Sequence, residues 1–187
     1  MLVVGATRIL RPALEPLVTT GWTVTAVART AEDLAALAVA FPGSVRPMAV
    51  DYTDVAALRA ALDETPGGGP TAGEFGRQLF DDALVYAPGA DDAAWEVLRA
   101  RVAGRIVQLL PSAAAAPRAD EAFDFAALDP PPAGPPGSSW RRVLLGWRPD
   151  RTWHSPAEIS AAAVHSLSAA GDVVLGAVRP WSERPAA

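Results

Sequence analysis

The 187-residue chain has no cysteine and no lysine, and only two histidines and two tyrosines. It also has no apolar run near the roughly 20 residues that span a bilayer. Each absence excludes something. Without cysteine there is no disulfide framework and no thiolate metal site. Without lysine all 16 basic residues are arginine, so any mechanism that requires a lysine ammonium is ruled out. The histidines, His154 and His165, share no metal-ligand spacing with carboxylates, and no metal is expected. A net charge of −5 and a pI near 5.0 lack the basic field that a nucleic acid or an anionic membrane demands, so neither is expected as a partner. The opening residues lack the n-region and h-region of a signal peptide, so the first apolar run is expected to belong to the fold and the protein to be cytoplasmic.

What is present describes a folded globule, with half the residues hydrophobic and 20% charged. The length suits one domain over residues 1–187, and no internal repeat or boundary breaks it. Apolar runs predict strands at Leu2–Val4, Trp22–Ala28, Val45–Val50, Ala83–Tyr86, Arg105–Leu110, Arg141–Trp147 and Asp172–Val178. Pro47 moves the third of these towards a sheet edge. Helical spacing predicts helices over Ile9–Thr20, from Thr30 as N-cap to Phe41, over Asp54–Glu64, from Asp91 or Asp92 to Val102, and from Pro156 to about Ala170. Ser155-Pro156-Ala157-Glu158 is the sharpest local signal: serine at the N-cap, proline at N1 and glutamate at N3. Pro66–Pro70 reads as a surface loop, and about residues 113–139 as an irregular proline- and alanine-rich segment with a short helix near Glu121–Leu128. Strand and helix alternate throughout. The expected fold class is α/β, a three-layer doubly wound Rossmann-like domain with a mostly parallel sheet of about seven strands.

In such a sheet, ligands bind outside the carboxyl ends of the strands. Four of those ends carry glycine or polar residues: Gly5 to Arg8, Arg29-Thr30, Asp51-Tyr52 and Ala87-Pro88-Gly89. Gly5 permits a tight turn beside a pyrophosphate, with Thr7 and Arg8 next to it. Arg29 can pair with a 2′-phosphate, and no acidic residue at that strand end claims a ribose hydroxyl instead. Asp51 can hold an adenine amino group, while Pro88-Gly89 passes beside ribose and nicotinamide. The cofactor expected on these residues is NADP, ahead of NAD, with loss of the cofactor as the alternative.

From Val3 to Val178 the layout resembles the short-chain dehydrogenase/reductase superfamily, above all its small, atypical members. The resemblance rests on Gly5-Ala6-Thr7, Pro111-Ser112-Ala113, Val143-Leu144-Leu145-Gly146, Trp153 and Glu158-Ile159-Ser160. It implies NAD(P) binding, and NADP where arginine follows strand two. It also implies homo-oligomers built on the helices flanking strands four and five, although the second of these is replaced here by the proline-rich stretch. Two departures matter. Arg8 and Arg11 stand where the family turn has glycines, and cations in a helix's first turn oppose its dipole by roughly 0.3–1 kcal/mol each. The family's Tyr-x-x-x-Lys is absent: Tyr52 and Tyr86 both precede strand five.

Another acid must then serve any hydride chemistry. The candidates are Ser112, which either bonds a carbonyl or caps backbone; Tyr86, either near the ribose or structural; and His154, either a titrating acid or a surface-loop residue. Trp140, Trp147, Trp153 and Trp181 either line a substrate cleft or pack the core. The leading expectation is an NADP(H)-binding oxidoreductase acting on a small carbonyl or imine. The alternatives are a non-catalytic NADP(H) sensor and a cofactor-free protein doing isomerisation or cyclisation.

Overall fold

A computed structural model describes residues 1–64, 79–116, 123–128 and 134–186. Its strands are β1 (Leu2–Val4), β2 (Val24–Ala28), β3 (Val45–Ala49), β4 (Ala83–Val85), β5 (Arg105–Leu110), β6 (Ser139–Leu145) and β7 (Val173–Leu175). They form one sheet in the order β3-β2-β1-β4-β5-β6-β7, and every neighbouring pair is parallel. The central strands β1, β2 and β4 are buried at every position, as continuous apolar runs covered on both faces must be. β3, with Pro47 and three exposed positions, takes the edge its sequence predicts. The topology reverses at β1, between β2 on one side and β4 on the other. That reversal opens the crevice in which the candidate site lies.

Among the described residues five α-helices cover the sheet: α1 (Leu14–Thr19), α2 (Ala31–Ala40), α3 (Val55–Glu64), α4 (Asp92–Arg99) and α5 (Pro156–Ser166). On one face Leu14, Leu17, Leu34, Leu37, Ile159 and Ala163 pack against Val3, Ala26, Leu84, Val107 and Val143. On the other, Leu58, Leu62, Val97 and Leu98 pack against Leu2, Val4, Val27, Val85 and Ile106. The alternation of neighbouring residues between these two clusters is the period-2 pattern of the strands. Fully burying each such leucine contributes about 1.5–3 kcal/mol relative to leaving it exposed.

The first helix departs from its sequence pattern. Residues 5–10 form turns, Arg11–Ala13 a 3₁₀ turn, and α-helix begins only at Leu14. Pro12 sits at the start of the 3₁₀ turn and Pro16 in the first turn of α1, the positions where a missing N–H is tolerated. Arg11 is consequently exposed, away from the strand–helix contact that a glycine would relieve. Elsewhere Thr30 occupies the N-cap of α2 without an intrahelical side-chain bond, and α5 stops at Ser166 rather than near Ala170. Asp91 caps α4 by accepting from the Ala94 amide at 2.8 Å.

Between β5 and β6 the described residues contain no α-helix, only 3₁₀ turns at Ser112–Ala115 and Phe125–Ala127. The expected loop at Pro66–Pro70 and most of the expected helix near Glu121–Leu128 lie outside the described residues. Leu144 and Leu110, on the face shared with α3 and α4, are covered instead by Ala115, Phe123, Phe125 and Trp181. The four tryptophans do not form one group. Trp147, 1% exposed, packs edge-on against Trp153 and Trp181, whereas Trp140 packs at a tilt against Trp95 and donates to Gln108.

The capping box of α5 is complete. The Ser155 hydroxyl accepts from the Glu158 amide, and the Glu158 carboxylate accepts from the Ser155 amide at 2.9 Å. Arg148 adds two hydrogen bonds to the same carboxylate, at 3.1 and 2.5 Å. These donors, Arg148 first, hold the Glu158 carboxyl at about 2, below its ordinary 4.5. Ser155→Ala is expected to lower unfolding free energy by about 1 kcal/mol, read as a urea midpoint shift at unchanged slope; an unmoved midpoint contradicts the capping account. The lowered folded-state value means that Glu158 stabilises the fold above 4.5 and loses that contribution as pH falls towards 2. Across that window the wild type should lose more stability than Glu158→Gln, and parallel curves would refute this.

Candidate functional site

The residues following β1, β2, β3 and β4 meet at the carboxyl edge around a cleft of about 250 Å³ lined by Gly5, Thr7, Arg8, Ile9, Ala28, Arg29, Thr30, Tyr52, Tyr86 and Pro88. Gly5 has φ +87°, and a Cβ there would fall 2.8 Å from the Tyr86 carbonyl oxygen, so only glycine permits this approach of β1 to β4. The Gly5 and Ala6 amides both donate to the Val27 carbonyl. Those of Thr7, Arg8 and Ile9 have no protein acceptor among the described residues. Arg8 and Arg29 are exposed, and their side chains make no ion pair or hydrogen bond among the described residues. The cleft thus offers spare amides, a side-chain hydroxyl at Thr30 and two uncommitted guanidinium groups. That donor set suits phosphate.

Three other expected positions, Asp51, Ala87 and Gly89, are not among the residues lining the cleft. Asp51 turns its Oδ1 to the Thr53 amide and hydroxyl at 3.0 and 2.8 Å, and these bonds hold its carboxyl below the usual range. Tyr52 donates to the Pro88 carbonyl at 3.1 Å, tying the β3 end to the β4 end, and burial raises its phenol. Ala87 is buried under that loop, and Gly89 turns at φ +84° with open space around it.

A second cleft, also about 250 Å³, adjoins the first through Ile9 and Tyr86, which line both. Its other lining residues are Pro111, Ser112, Leu145, Gly146, Trp153, His154 and Ile159. All three candidate catalytic residues therefore face one space. Tyr86 stands at the junction, half-buried, with its phenol raised by burial first and Tyr52 second. Ser112 is 5% exposed and caps no backbone; its hydroxyl accepts from Arg184 Nε at 3.2 Å. His154 is no surface-loop residue. Its side chain is 10% exposed, neither ring nitrogen has a hydrogen-bond partner among the described residues, and Nδ1 lies 3.5 Å from Glu158 Oε1.

The burial of His154 follows from Gly176, where φ is +82° and a Cβ would meet the imidazole Nε2 at 2.4 Å. An unpaired buried imidazole costs free energy unless a ligand satisfies it. Sequence reasoning missed Arg184 and the Arg148–Glu158 pair. The latter sits in a ten-residue spacing across a strand-to-helix connection, and Arg184 reaches Ser112 across 72 positions. The Ser155 capping pattern was the one local sign that Glu158 is fixed in place.

Among the described residues no group of three or more histidines or carboxylates is placed to hold a metal ion. Nor, among them, is any helix long and apolar enough to cross a membrane.

No family model and no curated protein matches the sequence. Solved structures do match. A short-chain dehydrogenase from Streptomyces avermitilis superposes with a TM-score of 0.63 at 17% identity, over 94% of this chain and 86% of the other. Serine dehydrogenase from Escherichia coli gives 0.60 at 14%, over 94% and 95%. A metagenomic short-chain oxidoreductase in complex with NADP gives 0.61 at 16%, over 100% and 97%. The parallel seven-stranded sheet of this chain has the fold of short-chain dehydrogenases and reductases.

Proposed function

We propose that the protein is an NADP(H)-dependent oxidoreductase that reduces a small carbonyl or imine, with His154 as proton donor. One observation carries this reading: two clefts of different chemistry share a wall at Ile9 and Tyr86. The first is lined by arginines and a glycine turn, the second by an apolar wall with three proton-bearing groups. Solved neighbours that hold NADP in the same fold support the choice of cofactor.

The residues present fit a phosphate-bearing dinucleotide. Gly5 leaves a backbone hollow that any Cβ would fill, and the free amides of Thr7, Arg8 and Ile9 lie at its rim. Arg8 and Arg29 would hold phosphate, with Arg29 and Thr30 selecting a 2′-phosphate; Asp51, Tyr52 and the Ala87–Gly89 loop would frame the adenosine and ribose. Because α1 has only six residues, side-chain charge takes over much of what a longer helix terminus would supply. The bound cofactor supplies a hydride.

The remaining steps belong to the chain. Ser112 orients the substrate oxygen by a hydrogen bond. Tyr86, whose phenol keeps its proton, closes the junction between the clefts. His154, whose ring lines the cleft with Glu158 facing its Nδ1, gives a proton to the developing alkoxide or amine nitrogen. No lysine is needed, because Glu158, kept ionised by Arg148, orients the ring from its Nδ1 side.

Fluorescence titration with NADPH tests the first half. Saturable binding should weaken about tenfold or more in Arg29→Ala and exceed NADH binding in the wild type. Equal affinities would remove the role of Arg29, and no binding at millimolar cofactor would leave only the cofactor-free alternative. NADPH oxidation across a panel of small carbonyls tests the second half. His154→Gln should lower kcat by about 10²–10⁴ with NADPH affinity unchanged, and Ser112→Ala should also be slower. Binding without turnover on any carbonyl would make the protein a sensor.

A further inference from the structure

The chain beyond β7 folds back over the carboxyl edge, beside the second cleft. Ala177 and Trp147 exchange backbone hydrogen bonds at 2.7 and 2.8 Å, and Arg179 donates to the Ala115 carbonyl at 2.8 Å. Trp181 packs on Trp147 with ring centroids 6.1 Å apart. Further along, Arg151 pairs with Glu183 at 2.9 Å, and Trp153 Nε1 donates to the Ala186 carbonyl at 3.1 Å. These contacts set Arg184 against two of the residues that line the cleft. Its guanidinium carbon lies 5.1 Å from the Trp153 ring centroid and 5.3 Å from that of Trp181. Its Nε donates to Ser112, and both Ser112 and Trp153 line the cleft.

Arg101, Arg142, Arg148 and Arg151 each have a carboxylate within 2.9 Å. Arg184 has none among the described residues, although acidic groups outnumber basic ones by 21 to 16. Of its five N–H donors one is used, so the terminal nitrogens keep their fork free. A guanidinium keeps its charge and stacks on indole faces. Held by two indoles and a serine, it has already lost the side-chain freedom that ligand binding would otherwise cost. The matching ligand group is a carboxylate, which takes two parallel N–H bonds from such a fork. The cleft beside it has apolar walls at Ile9, Pro111, Leu145 and Ile159, so the rest of the ligand is a short apolar body.

The geometry points to Arg184 as the anion-binding residue of the second cleft, making the substrate a small carboxylate-bearing carbonyl compound of the oxo-acid class. The inference rests on reading that cleft as the substrate site. Calorimetric titration of the full chain with pyruvate and 3-methyl-2-oxobutanoate tests it, with 3-methyl-2-butanone as the ligand lacking only the carboxylate. The oxo acids should bind saturably, at least about tenfold more weakly to Arg184→Gln, with Arg184→Lys intermediate because it keeps charge and loses the fork. Arg151→Gln, which loosens the same tail without touching the guanidinium, should bind within about twofold of wild type, as expected for an exposed ion pair. The ketone should bind the wild type and Arg184→Gln alike. Failure of the wild type to bind either oxo acid, equal binding by Arg184→Gln, or an equal loss for acid and ketone would overturn the inference. A parallel NADPH titration separates the two readings: oxo-acid binding through Arg184 without NADPH binding would sink the oxidoreductase proposal and leave this site standing.

Discussion

The close approach of Gly5 to Tyr86 is the contact on which the site depends. The turn after β1 must pass against the end of β4, and the 2.8 Å that a Cβ would leave to the Tyr86 carbonyl makes glycine compulsory there. That approach sits at the reversal of strand order, where the crevice opens. It also sets the Tyr86 side chain between the two clefts, as their shared wall. A phosphate-suited space and an apolar proton-bearing space adjoin because one backbone contact is tight.

A second constraint comes from the stretch after β5. The described residues place no α-helix there, yet Leu110 and Leu144 face the same side as α3 and α4 and must be covered. Phe123, Phe125 and Trp181 do so, which draws the C-terminal segment over the sheet edge. The same fold-back brings Arg184 to Ser112 and Trp153. On this account the covering of Leu110 and Leu144 and the placing of a cation beside the cleft have a single physical origin. Buried apolar area is the driving term, and the polar contacts of the tail fix its register.

Much of the fold was legible in the sequence because it rests on short-range periodicity. β5 runs from Arg105 to Leu110 as predicted, Asp91 caps α4, Pro47 marks the edge strand, and the Ser155–Glu158 box is complete. The start of the first helix was misread because apolar spacing at Leu10 and Leu14 continues through a 3₁₀ turn that Pro12 and Pro16 impose. The gathering of Gly5, Thr7, Arg8, Arg29, Thr30, Tyr52 and Pro88 around one cleft followed from strand ends alone. Less of the second cleft was legible. His154 looked like a loop residue because its burial comes from Gly176, and Arg184 was invisible because its partners are brought together only by the tail. Trp140 was grouped with tryptophans that lie elsewhere, since its register opposite Ile106 turns it to the α4 side, against Trp95.

The account's central claim is that one dinucleotide and one small substrate occupy adjoining clefts separated by Tyr86. A crystal structure of the full chain grown with NADP and an oxo acid tests this most directly. The account predicts cofactor density along Gly5, Arg8 and Arg29, and oxo-acid density beside Ser112, His154 and Arg184. Cofactor density elsewhere on the molecule, or one ligand filling both spaces, would contradict it.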